Sequence, residues 1–134
     1  MRTFTRSPGR YAPPDHPHPQ VSSIAPALRE RVAKALVNKG VALGALGRST
    51  EAVAVCDEVV ARYGEDPAPA LREQVAKALY NTGVRLGALG HSTEAIAVYD
   101  EVAARYGEDP APAVREVVAR AVSALQEPGP RQEG

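Results

Sequence analysis

The chain has no Trp, one Phe and one Met, so bulky side chains cannot fill a wide core. Its 44% apolar content is mostly Ala, Val and Leu, which suits helices that approach closely. The lone cysteine, Cys56, has no partner for an internal disulfide; this fits a reducing compartment, and a cytoplasmic location is expected. Sixteen basic and sixteen acidic residues cancel, leaving no overall field to draw the chain to nucleic acid or an anionic membrane. No window approaches the roughly 18 apolar residues of a membrane span. Arg2 and Arg6 are followed by no apolar stretch, so a secretory leader is not expected.

What is present is a repeat. Residues 28–70 recur as residues 71–113, with eight of forty-three positions changed, and a third copy starts at Val114 and stops short. A period of this size indicates stacked supersecondary units rather than one undivided core. Residues 1–22 carry five prolines and few aliphatic side chains, and 128–134 form a short polar tail. Neither segment buries enough apolar surface to offset its ordering entropy, so both are expected to be disordered.

Between the tails, apolar residues fall at helical spacing. Leu28, Val32, Ala35, Leu36 and Leu43 make one face of a first helix; Ala52, Val55, Cys56, Val59 and Tyr63 make one face of a second. Ser23, Asp66 and Asp109 are placed to cap the first helix of each unit, with prolines in the first turn; Ser49 and Ser92 are placed to cap the second helices. Glycines at 47, 64, 90 and 107 mark the stops. The pattern predicts helices over 24–46, 50–63, 67–89, 93–106 and 110–126. The domain spans 23–127, in units 23–65 and 66–108 and a partial unit 109–127.

The stretch AKALVNKGVALGALGRSTEAVAVCDEVVARY, Ala33 to Tyr63, resembles a tetratricopeptide repeat. The resemblance rests on Leu36, Gly40, Leu43, Leu46-Gly47, Ala52, Cys56 and Val59. It returns in register at Leu79, Gly83, Leu86, Leu89-Gly90, Ala95, Tyr99 and Val102. The period of 43 departs from the family's usual spacing of about 34, as in a longer variant of the repeat. Lys39 and Thr82 stand where the family has Leu, and Gly64 and Gly107 replace its proline. The resemblance implies an all-α fold, an α-solenoid of two helical hairpins plus a C-terminal capping helix. It also implies a non-enzymatic scaffold whose first helices line a concave groove for a peptide or partner helix. A stack generally needs about three units, so the first hairpin, with nothing before it, suggests homo-oligomerisation or a piece of a longer array.

Lys34 and Asn38 lie one turn apart, as do Lys77 and Asn81, and Arg120 continues the basic series. In the resembling family such places commonly face the groove. There the basic residues would meet the carboxylates of an acidic peptide and the asparagines its backbone. The competing reading is a solvated face, with asparagines tying helix to helix. Tyr80, Val84, Gly87 and Ala88, matching Val37, Val41, Gly44 and Ala45, read either as apolar groove walls or as core between hairpins. Val37 and Tyr80 occupy the places where a carboxylate-clamp variant wants Lys, so no chaperone-tail clamp is implied.

No catalytic constellation is evident. Cys56 reads as core, and His91 falls at a turn where the other copy has Arg48. A nucleophile needs a positioned base, which this pair does not supply. Asp57-Glu58 and Asp100-Glu101 read as solvated pairs, and His16 with His18 makes too few ligands for a metal. GALG follows a helix, not a strand, and is no phosphate loop. Residues 24–126 hold twelve basic and thirteen acidic residues, which argues against nucleic acid as partner. Arg85, at a variable position, is expected to be exposed. The expectation is a binding module with a protein or peptide partner, no cofactor, no metal and no membrane.

Overall fold

Five helices and no strand make up the described residues, 19–126, of the computed structural model. They are α1 (Pro19–Ala45), α2 (Ser49–Tyr63), α3 (Pro69–Ala88), α4 (Ser92–Tyr106) and α5 (Pro112–Gln126). Among them, α3 is central and packs against each of the other four; α1 also packs on α2, and α4 on α5. The expected C-terminal tail and residues 1–18 lie outside the described residues.

The turns within each unit are as the glycines demand. Gly47 and Gly90 adopt φ of 80° and 83°, which only glycine takes without strain. The Arg48 N–H then bonds the Leu43 carbonyl at 2.9 Å and Gly47 bonds Gly44 at 3.0 Å, the paired bonds of a Schellman motif. His91 to Leu86 and Gly90 to Gly87 repeat it at 2.8 and 3.0 Å. Gly64 and Gly107 close α2 and α4 with right-handed φ of −61° and −60°.

Helix starts differ from the sequence expectation. α1 begins at Pro19, so Ser23 lies inside the helix and residues 19–22 belong to it rather than to a tail. Proline at a first helical position lacks only a donor that would have no partner there. Asp66 and Asp109 do not cap directly. Each carboxylate accepts a hydrogen bond from the backbone N–H two residues on, Ala68 at 3.0 Å and Ala111 at 2.9 Å. These side-chain turns place Pro69 and Pro112 as the first residues of α3 and α5. Arg48 and His91, not Ser49 and Ser92, hold the N-cap positions of α2 and α4.

The core comprises Ala33, Cys56, Val59, Leu71, Val75, Ala78, Val102, Val114 and Val117, with neighbours from all five helices. The expected face of α1 is buried only in part. Leu43 is buried, but Leu28 and Val32 are 55% and 38% exposed, whereas their counterparts Leu71 and Val75 are 1% and 0%. The cause is cover: α1 and α2 pack on α3, and no described element covers the matching face of α1. The change of residues follows this difference. Arg31 and Lys39 are exposed on α1, and their counterparts Gln74 and Thr82 are buried on α3. Arg85 corrects a further expectation. It is half-buried, and its Nη1 donates to the Gly44 carbonyl at 3.1 Å across α1 and α3.

Candidate functional site

One side of the molecule carries a groove of about 400 Å³ built by α1, α3 and α5. Lys34, Asn38, Lys77, Tyr80, Asn81 and Arg120 all line it. The geometry follows from the repeat. Lys34 and Asn38 lie one turn apart on α1, the 43-residue period sets Lys77 and Asn81 at the same heights on α3, and Arg120 repeats the lysine place on α5. Val37, Val41 and Val117 supply the apolar part of the lining. Gly44, Ala45, Gly87 and Ala88, candidate walls from sequence, are not in it: Gly44 is buried under the Arg85 side chain.

The basic groups are only loosely held. Lys77 Nζ lies 3.0 Å from Glu73 and Arg120 Nη2 lies 3.2 Å from Glu116, each one turn back along its own helix. Lys34 has no carboxylate partner among the described residues. Exposed pairs of this kind contribute under about 1 kcal/mol, so a ligand carboxylate competes for these cations at little cost. Asn38 and Asn81 make no side-chain hydrogen bond among the described residues, so they do not tie helix to helix; Lys34 and Asn38 are exposed, as a solvated face also requires.

Sequence reasoning missed Gln74. It lines the groove, is only 2% exposed, and its carboxamide has no hydrogen-bond partner among the described residues. At a groove wall such an amide can both donate to and accept from a ligand. A signal was available: position 74 is one of the eight where the copies differ, with Arg31 in the first.

The other titratable candidates are placed elsewhere. Cys56 is fully buried against Gly40, and burial pushes its thiol up to about 11, so it is no thiolate at neutral pH. His91 sits exposed at the α3–α4 turn beside Glu94, 3.0 Å away. Glu58 and Glu101 pair with Arg62 and Arg105 one turn on, at 3.2 and 2.9 Å. Among the described residues no three His, Cys, Asp or Glu side chains gather as for a metal ion, and no helix is long and apolar enough to cross a membrane. His16 and His18 lie outside the described residues.

No family model, curated protein or solved structure matches the chain.

Proposed function

We propose that the chain is a non-enzymatic interaction module of tetratricopeptide type, an α-solenoid whose concave face holds an acidic segment of a partner protein. One observation carries the reading: three helices bring three cations around a groove whose lining includes a buried amide with no hydrogen-bond partner among the described residues. Lys34, Lys77 and Arg120 would steer and hold carboxylates, a contribution that acts mostly on association rate and specificity. Asn38, Asn81 and Gln74 would meet the backbone of the segment, each able both to donate and to accept. Val37, Val41 and Val117 give its apolar side chains an apolar wall.

The rival reading is self-assembly through α1. It draws on the exposed strip of Leu28 and Val32, but Arg31 and Lys39 interrupt that strip with like charge, which opposes the face meeting its own copy.

The test uses fluorescently labelled short peptides, one rich in Asp and Glu and one rich in Lys, with the full chain. The acidic peptide should bind, more weakly as salt rises. Lys77→Glu should slow its association, and Asn81→Ala should speed its dissociation. Equal binding of both peptides, or an unchanged association rate in Lys77→Glu, overturns the proposal.

A further inference from the structure

The two units are so nearly alike that each place where they differ reports on its surroundings. Two differences coincide in space. Val37 of the first unit becomes Tyr80 in the second, and Cys56 becomes Tyr99. The Tyr80 and Tyr99 rings lie 5.7 Å apart at 44°, within the range of a favourable tilted pair. The partial third unit then changes in the opposite sense: Ser123 takes the place of Tyr80, and Ala124 that of Asn81. Large residues on α3 and α4 thus face small ones on α5.

The result is an open notch of about 560 Å³ between the two tyrosines and Ala119, Ser123 and Ala124. Tyr80 and Arg120 line both this notch and the groove, so the two adjoin. We infer that the notch seats an aromatic side chain of the partner, beside the carboxylate held by the basic rail. This rests on the groove reading above and adds a second recognition element to it.

The chemistry favours a ring over other occupants. Tyr80 and Tyr99 offer aromatic faces and edges, and Val84 adds apolar wall. A cationic side chain meets the Arg120 guanidinium in the same lining, which repels it, and among the described residues the one carboxylate there, Glu116, already faces that guanidinium at 3.2 Å. A small side chain would leave most of the space to water and gain little dispersion. A segment with a Phe, Tyr or Trp next to acidic residues satisfies groove and notch together.

The experiment compares three labelled acidic peptides that differ at one central position, Phe, Ala or Lys, on the full-length protein. The Phe peptide should bind roughly tenfold more tightly than the Ala peptide, the scale of one added aromatic contact. Ser123→Tyr restores the residue of the preceding unit at an exposed position and should fill the notch. It should reduce the Phe advantage to near unity. Lys77→Glu should weaken all three. If Phe and Ala peptides bind wild type equally while Lys77→Glu still weakens both, the groove stands and the notch proposal falls. Tightest binding by the Lys peptide also overturns it. If no acidic peptide binds, groove and notch fail together. The wild-type comparison needs no variant, so misfolding of Ser123→Tyr cannot rescue the idea.

Discussion

Arg72 of α3 grips Asp109, at the entry to α5, with two guanidinium nitrogens at 2.6 and 3.1 Å. The same guanidinium donates to the Pro67 carbonyl, and Asp109 accepts in addition from the Ala111 N–H. One side-chain pair therefore fixes the loop before α3 and the loop before α5 at once. Arg29 and Asp66 repeat the pairing one period earlier at 3.3 Å, but with Arg29 43% exposed. Arg115 stands in the same place on α5 and is exposed.

The first prediction follows from that clamp. The Asp109 carboxylate is only 6% exposed, and the Arg72 hydrogen bonds hold its pKa below the usual carboxylate range. A folded-state value below the unfolded one means stabilisation that is full above about pH 4 and is lost as pH falls through the folded value. Arg72→Ala should cost about 2 kcal/mol at neutral pH, since it strands a buried charge. Arg29→Ala should cost under about 1 kcal/mol. Denaturant titrations at pH 7 and pH 3 check both: the Arg72→Ala penalty should shrink at the lower pH, and a pH-independent penalty would contradict the assignment.

Two glycines of α3 should respond in opposite directions. A Cβ at Gly83 would lie 2.5 Å from the Tyr99 ring, whereas one at Gly87 would meet nothing within 4 Å. Gly83→Ala should overpack the α3–α4 contact and cost about 1–3 kcal/mol. Gly87→Ala should stabilise by about 0.5 kcal/mol through a stiffer unfolded chain. Thermal melts that move the same way for both would show that the crossing is not as tight as described.

The helices and their order were legible because local chemistry repeats: period-3.6 apolar spacing, Gly47 and Gly90, and the aspartate–proline entries. The six groove residues were legible for the same reason, since a fixed period places equivalent side chains on one side. What escaped was which helix faces a neighbour covers. Leu28 and Leu71 share the same residues from three before to two after, yet one is exposed and the other buried; the cover above them differs. Gln74, Thr82 and Arg85 carry that information in their departures from the first copy.

Arg85 illustrates the consequence. A variable position suggested a dispensable surface side chain, but its stem covers Gly44 and its head bonds the Gly44 carbonyl. Arg85→Ala should therefore cost about 1 kcal/mol, from one hydrogen bond and lost packing of the stem. A chemical-denaturation midpoint indistinguishable from wild type would return Arg85 to the surface class.

Cys56 should be silent toward thiol reagents in the folded state. Burial raises its thiol to about 11, with Thr82 opposing that shift through a hydrogen bond. At pH 7.5 a chromogenic disulfide should therefore react only as fast as the protein opens. Adding denaturant below the unfolding transition should raise the rate in parallel with the unfolded fraction. Rapid stoichiometric labelling without denaturant would mean that the α1–α2 contact over Cys56 is loose.

The last prediction concerns the outer face of α1. Its outer face carries Leu28 and Val32 in the places of the buried Leu71 and Val75, but Arg31 and Lys39 stand where α3 has Gln74 and Thr82. A charged side chain pressed into such an interface loses hydration that a neutral one does not, so the two cations oppose packing by a second chain. Exchanging them, as Arg31→Gln with Lys39→Thr, gives α1 the outer face that α3 buries against α1 and α2. Exposed apolar area then lacks its charged interruption, and association should follow. Sedimentation velocity should show wild type sedimenting at a constant rate across concentration, and the double variant moving toward a dimer. Further replacement of Leu28 by Ser should return the double variant to monomer, which ties the association to this face. Concentration-dependent mass in wild type that Leu28→Ser abolishes would show the reverse, that α1 is already an assembly surface and the cations do not keep it apart.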